Sequence, residues 1–371
     1  MEIVGIITEY NPFHNGHKYH IDKIKEKYKD SIIIAVTSSS FTQRGDISIL
    51  NKWEKTKIAL NNNIDIVIEL PFIYSTQSAD IFAKGALKLL NELKINKLIF
   101  GSESNDIEKL KNIANLQINN KEFDQEVKKY LNEGNNYPTS LSKAITKFNI
   151  ENIQNPNDLL GISYIKEIIK NNYNIVPETI KRTNNYHGNN ETIKSATELR
   201  EMLNNNISIK KHINYDENSI YKNIDTYKLL KYKIITEEKN LNKFQTVDEG
   251  IEGRIKKYIN EETKKDLIEK IKTKRYTYNK INRMLTHILT SKTKEEAKLE
   301  IDYIRVLGFN KKGKKYLNSI KKETNLPLIT NYKNINSPLL NKEYEITKIY
   351  SLLVNDNSLI KRELESPIIK E

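Results

Sequence analysis

Cysteine is absent from all 371 residues. That excludes disulfides, thiolate nucleophiles and cysteine-ligated metal sites. Long apolar runs are missing as well: none approaches the roughly 20 residues that a membrane helix requires. The first residues, Met1-Glu2, lead directly into an apolar stretch with no basic leader, so no signal peptide is read there. These absences predict a soluble, cytoplasmic protein without membrane contact. The length allows two domains and a substantial core.

Positive charge is in excess, with a formal net charge of +13. It is unevenly placed: residues 1–200 hold 26 basic against 24 acidic side chains, and residues 201–371 hold 35 against 24. An excess confined to one half points to a polyanionic partner, and nucleic acid is the natural candidate.

The first half alternates strand and helix patterns. Apolar runs at Ile3–Ile7, Ser31–Val36, Asp65–Leu70 and Lys97–Phe100 read as buried strands, and Ile175–Lys181 as a fifth with Pro177 inside it. Helical periodicity follows Gly16 and continues over 53–60, 79–93, 106–132, 138–149 and onward from Asp158. This pattern predicts an α/β fold, a Rossmann-like parallel sheet covered by helices on both faces. Ligands of such sheets bind beyond the carboxyl ends of the strands. There the chain places Thr8 to His17, then Thr37 to Asp46, Glu69-Leu70-Pro71-Phe72, Gly101-Ser102-Glu103-Ser104, and Arg182 with Tyr186-His187-Gly188.

Two stretches carry chemistry. The first runs Gly5-Ile6-Ile7-Thr8-Glu9-Tyr10-Asn11-Pro12-Phe13-His14-Asn15-Gly16-His17. Asn11-Pro12 breaks the strand, and the H-x-G-H tetrad opens the next helix. A helix N-terminus favours phosphate, Gly16 allows close backbone approach, and two imidazoles can donate to phosphate oxygens as charge builds. Zinc is disfavoured, since no third ligand lies nearby and no cysteine exists; no metal site is expected. The second stretch is Ser195-Ala196-Thr197-Glu198-Leu199-Arg200. Ser195 and Glu198 have capping-box spacing, so a well-capped helix alone would account for them. Two hydroxyls and an arginine at a helix start also suit the β- and γ-phosphates of a nucleotide.

Strand, Asn-Pro, aromatic residue, H-x-G-H and helix, in that order, resemble the HIGH signature of the nucleotidyltransferases. S-x-T-x-x-R at Ser195–Arg200 is similar to their second signature, while the KMSKS loop of class I aminoacyl-tRNA synthetases is not evident. The resemblance narrows further. E-Y-N-P-F-H-N-G-H at Glu9–His17, Q-R-G at Gln43–Gly45, A-D-I-F-A-x-G-A at Ala79–Ala86 and F-G-S-E at Phe100–Glu103 look like the bacterial tRNA(Met) cytidine acetate ligases. So do P-N-D at Pro156–Asp158 and Y-I-R-V-L-G-F-N at Tyr303–Asn310.

That resemblance implies an RNA-modifying ligase. It would use ATP as a substrate to make acetyl-adenylate from acetate, then acetylate N4 of the wobble cytidine of elongator tRNA(Met). It implies ATP contacts along Ile7, Thr8, Glu9, Tyr10, Asn11, Pro12, Phe13, His14, Asn15, Gly16, His17, Lys18, Tyr19 and His20, with Gly101, Asn157 and Arg182. His14, His17, Ser195, Thr197 and Arg200 would serve the chemistry. Mg2+ is left open as a companion of the triphosphate, and no protein partner is implied. Other readings of single residues stand beside these: Gly101 as a turn glycine, Asn157 as a helix cap, Arg182 as one half of a surface ion pair. The chain departs from the family where Gly-Asn often precedes the Phe of the Q-R-G loop, since it has Ser39-Ser40.

From about residue 205 strand patterning fades. Helices are expected over 223–236, 248–260, 262–272, 278–291, 294–306 and 311–322, with a loosely held tail beyond Asp356. The expected division is therefore 1–205, a nucleotidyltransferase domain for ATP and acetate, and 206–371, a helical basic domain for tRNA. Lys311, Lys312, Lys314 and Lys315 form the densest positive cluster and the expected phosphate contacts, although a solvated face would look the same. Basic residues interleaved with aromatics at Arg275–Lys280 also suit RNA. Two other functions remain open: a small-molecule adenylyltransferase of a cofactor pathway, and a catalytically silent RNA-binding protein. The basic second half weighs against the first, and the intact His14, His17, Thr197 and Arg200 against the second.

Overall fold

The computed structural model describes residues 1–148, 153, 155–182, 185, 186, 189–332 and 336–371. Five strands, β1 (Ile3–Thr8), β2 (Ile32–Ser38), β3 (Ile66–Leu70), β4 (Lys97–Ser102) and β5 (Val176–Lys181), run parallel in the order β3-β2-β1-β4-β5. The chain reverses its direction of travel across the sheet between β1 and β4, which opens a crevice at their carboxyl ends. Side chains of β2 alternate between two cores. Ile32, Ile34 and Val36 pack with the helices Ala79–Glu92 and Pro156–Lys170 on one face. Ile33 and Ala35 pack with Asn15–Lys27 and Lys52–Asn61 on the other. Pro177 is tolerated because β5 is an edge strand, where a missing ladder donor costs nothing.

The expected helix over 106–132 is two helices, Ile107–Asn119 and Lys121–Asn132. Asn120 ends the first and caps the second, its side chain accepting the N–H of Phe123. A short hairpin pairs β6 (Asn185–Tyr186) with β7 (Asn189–Thr192). His187, Gly188 and the end of the expected 138–149 helix lie outside the described residues.

The larger correction concerns the second half. Residues 304–306, expected at the end of a helix, begin a strand, β8 (Ile304–Asn310), which pairs antiparallel with β3. The short β9 (Leu328–Ile329) and β10 (Ile368–Lys370) pair parallel with β8. The strand pattern was hidden by Arg305, a charge in an otherwise apolar run. Arg305 is buried because Glu69 (3.1 Å) and Glu363 both pair with it, while Lys52 bridges the same two carboxylates at 2.7 and 2.6 Å. Two cations and two anions thus balance inside the core, and removal of any one would leave an uncompensated buried charge. The tail beyond Asp356 is likewise built in: Glu363 is fully buried and β10 closes the sheet. Residue 205 marks where the added helices begin, but the sheet and both of its cores extend across it. No helix among the described residues is long and apolar enough to cross a membrane.

Candidate active site

The carboxyl ends of β1 and β4 open into a cavity of about 480 Å3. Of the residues expected to touch ATP, Ile7, Thr8, Glu9, Tyr10, Asn11, His14, Gly16, His17, Tyr19, His20, Gly101, Asn157 and Arg182 line it. So do Ser195, Thr197 and Arg200. Four residues of the expected segment do not. Phe13 is buried beneath the loop, edge-on to Tyr10 at 4.9 Å, and Pro12 precedes it after a cis peptide bond. Asn15 turns away to donate to the carbonyl of Lys211, and Lys18 pairs with Asp22 at 2.5 Å.

The two histidines of the tetrad cap their helix reciprocally. Nδ1 of His14 accepts the N–H of Gly16 at 3.0 Å, and Nδ1 of His17 accepts the N–H of His14 at 3.2 Å. Because both Nδ1 atoms act as acceptors, each neutral ring carries its proton on Nε2. The rings lie 3.9 Å apart, centroid to centroid. Burial, with Arg182 nearby, lowers the His14 imidazole to about 4 and the His20 imidazole likewise to about 4. Burial and then His14 hold His17 well below the ordinary range. The tetrad is therefore a pair of neutral N–H donors, pre-oriented by the helix end. Gly16 is required by the same geometry, since a Cβ there would sit 2.8 Å from Cε1 of His14.

The second signature is tied to the first. Ser195 and Glu198 form the expected capping box, with Glu198 Oε2 accepting the Ser195 N–H at 2.7 Å. Arg200 donates from one guanidinium nitrogen to the carbonyl of Asn11 at 2.6 Å, and from the other to Thr197 Oγ1 at 3.3 Å. It also lies 4.0 Å from Asp46. Arg200 thus locks the helix Ala196–Asn204 to the loop after β1.

Two further motifs explain each other. The Asp158 carboxylate accepts from Ser102 Oγ and from the N–H groups of Glu103 and Ser104. Glu103 in turn accepts from the Asn157 amide and the Asp158 N–H. F-G-S-E and P-N-D are therefore one interlock that fixes Gly101 and Asn157 on the cavity wall. Asn157 does not cap its helix; Asn155 holds that position. Arg182 is half-exposed and only loosely paired with Glu103, at 3.9 Å. It lies over Gly101, where a Cβ would come 3.3 Å from its Cγ.

Sequence reasoning missed the helix Tyr278–Leu289 as a part of the site. Asn282 Nδ2 donates to Arg44 O at 3.0 Å and Asp46 Oδ1 at 2.8 Å, and Thr286 donates to Gly45 O at 2.7 Å. Gly45, at φ +87°, would place a Cβ 2.8 Å from the Arg283 backbone. The one signal in the sequence was the glycine of Q-R-G itself. Ser39 and Ser40 are buried and do not line the cavity; the carbonyl of Ser39 accepts from the buried Lys55 ammonium at 3.0 Å. The lysine cluster is placed differently from what an RNA surface beside the cavity would require. Lys311, Lys312, Lys314 and Lys315 open a helix that begins where β8 ends, next to Asp65 and the amino end of β3. That is the sheet edge opposite the cavity. Lys312 is spent on the carbonyls of Asp30 and Ser31.

A parallel sheet with its crevice at the switch point, neutral imidazole donors on one helix start and an arginine-locked hydroxyl pair on another define a nucleotidyltransferase site. Comparison with known proteins agrees. Residues 1–365 match the HIGH Nucleotidyl Transferase family. The tRNA(Met) cytidine acetate ligase of Anoxybacillus flavithermus is 36% identical, covering 100% of both chains. That of Caldicellulosiruptor saccharolyticus is 41% identical over 87% of this chain and 86% of its own. The crystal structure of Thermotoga maritima TmcAL bound with alpha-thio ATP superposes with a TM-score of 0.88 at 27% identity, over 100% of this chain and 99% of that one. The chain belongs to the HIGH nucleotidyltransferases and, among them, to the tRNA(Met) cytidine acetate ligases.

Proposed function

We propose that the protein activates acetate with ATP and transfers the acetyl group to N4 of the wobble cytidine of elongator tRNA(Met). The observation that carries this reading is the reciprocal cap of His14 and His17, which leaves two neutral Nε2–H donors beside Arg182, Ser195, Thr197 and Arg200. An acetate oxygen attacks the α-phosphorus, and the bond to pyrophosphate breaks. Negative charge spreads over the phosphoryl oxygens during this step, and pre-oriented donors stabilise it without reorganising. His14 and His17 serve that charge, while Ser195, Thr197 and Arg200 hold the departing pyrophosphate. Gly101, Asn157 and Arg182 take the adenosine side. A Mg2+ ion accompanying the triphosphate would offset part of its negative charge.

In the second half-reaction the N4 amine attacks the acyl carbon and AMP leaves. We assign residues 1–205 to ATP and acetate, and the basic region 206–371, working in the cytoplasm, to tRNA. The test is mass spectrometry of nucleosides from tRNA incubated with the protein, ATP and isotopically labelled acetate. Labelled N4-acetylcytidine is expected, and its absence would refute the function.

A further inference from the structure

A second cavity, of about 340 Å3, adjoins the first and shares two of its walls, Asp46 and Arg200. That volume lies in the range of about 300–1,000 Å3 in which pockets bury small ligands. Its remaining walls come from both halves of the chain, among them Asn204 at the end of the Ala196–Asn204 helix, Lys264 and Tyr278. Three side chains here are left with capacity to spare. Tyr278, 36% exposed, has no aromatic neighbour against its ring among the described residues. Lys264 has neither a hydrogen bond nor an ion pair among the described residues. Burial pushes its ammonium down to about 8, with Asp46 the carboxylate that opposes the shift. Asp46 is held at Oδ1 by Asn282 (2.8 Å), while Oδ2 stands 4.0 Å from Arg200.

An open aromatic face, an uncommitted cation and a steered carboxylate match three features of a cytidine nucleotide: the base face, the phosphate and the exocyclic amine. A base in a single-stranded loop can be splayed out and stacked on a tyrosine. A lysine suits its phosphate. A carboxylate reads cytosine by accepting from the exocyclic N4–H2, and it would repel the O4 of uracil at the same place. That amine is the nucleophile of the second half-reaction, and Asp46 stands on the wall between this cavity and the adenylate site. We propose that the second cavity holds the acceptor cytidine, with Tyr278 stacked on the base, Lys264 at its phosphate and Asp46 accepting from N4. This rests on the acetate ligase reading above. In the transfer step the N4 lone pair forms the bond to the acyl carbon. The acyl C–O bond breaks with its electron pair leaving on AMP, and the N4 proton passes to the Asp46 carboxylate.

The experiment measures binding of two elongator tRNA(Met) transcripts, one with the target cytidine and one with uridine in its place, to the full-length protein. Acetyl transfer to the cytidine transcript is followed in parallel. The wild-type protein should prefer cytidine by about 5- to 150-fold, the range of one good base contact. Asp46→Asn keeps an oxygen for Asn282 but adds a donor that uracil O4 can accept, so the preference should narrow towards unity and transfer should slow. Tyr278→Ala should weaken both transcripts alike, by about 5- to 150-fold for one lost stack, and Tyr278→Phe should restore binding. Lys264→Gln should weaken both and reduce the salt dependence. Undiminished cytidine preference in Asp46→Asn, or wild-type affinity in both Tyr278→Ala and Lys264→Gln, would overturn the proposal. Wild-type protein that makes no N4-acetylcytidine would instead refute the ligase reading, and this site with it.

Discussion

Replacing His17 with alanine removes two things that the structure separates. One is Nδ1, which accepts the His14 N–H at 3.2 Å and so completes the helix cap. The other is the Nε2–H donor on the cavity wall. Loss of a cap costs about 1 kcal/mol, which in a chain of this length lowers Tm by only about 1–2 °C. Loss of one donor to developing charge costs on the order of 10²–10³ in rate. His17→Gln distinguishes the two roles, because glutamine at this third helical position can still reach back to the cap N–H. The glutamine variant should melt like wild type and remain slow; the alanine variant should be slow and slightly less stable. The assay is acetate-dependent exchange of labelled pyrophosphate into ATP, run beside thermal melts. Exchange by His17→Ala within about threefold of wild type would remove the imidazole from transition-state stabilisation. Full recovery in His17→Gln would show that capping was its whole role.

Acid should destabilise the protein as the pH falls below the ordinary histidine range. His14 folds with its imidazole at about 4 instead of 6.5, so between those values the unfolded chain binds a proton that the folded chain does not. Stability therefore rises with pH across this window, and about 3 kcal/mol from His14 is lost as pH falls from 6.5 to 4. Urea midpoints measured along that range should fall, and His14→Gln should flatten the fall; equal slopes would refute it. Gly45→Ala forces a Cβ onto the Arg283 backbone at positive φ and should cost about 2 kcal/mol or more, read from the denaturant midpoint. A midpoint matching wild type would show that the loop and the Tyr278–Leu289 helix separate freely. Alanine at Lys311, Lys314 and Lys315 should leave the salt dependence of tRNA binding unchanged, because these residues open onto the edge away from the cavity. A fall of about 2 in the slope would place them in the RNA interface.

The parallel sheet was legible because β1 to β4 are near-continuous apolar runs whose burial needs no distant partner. The first signature was legible because strand, breaker and helix cap follow one another in sequence. Arg305 hid β8, since its burial depends on Glu69 and Glu363, remote in sequence. The same distance hid the docking of Asn282 on the Q-R-G loop, 236 residues away from Asp46. The position of the lysine cluster was hidden for a related reason: local charge density says nothing about which edge of a sheet a helix starts from. Only the antiparallel entry of β8 decides that. Asn157 and Glu103 were found separately as motif residues, yet their joint role came from one hydrogen bond between them.

The buried charge quartet also sets an order of events during synthesis. Glu363 neutralises Lys52 across 311 residues of chain. At a ribosomal pace of about 5–20 residues per second, Lys52 waits some 15–60 s for it, and Arg305 for less. Until β8 arrives, β3 presents a bare edge and Glu69 faces Lys52 without Arg305; Glu363 joins them only later. The nascent chain holds both nucleotide signatures long before its sheet can close, so a ribosome stalled late displays an open-edged nucleotidyltransferase. The β3 edge closes when β8 pairs with it, and the charge quartet is complete only when Glu363 follows.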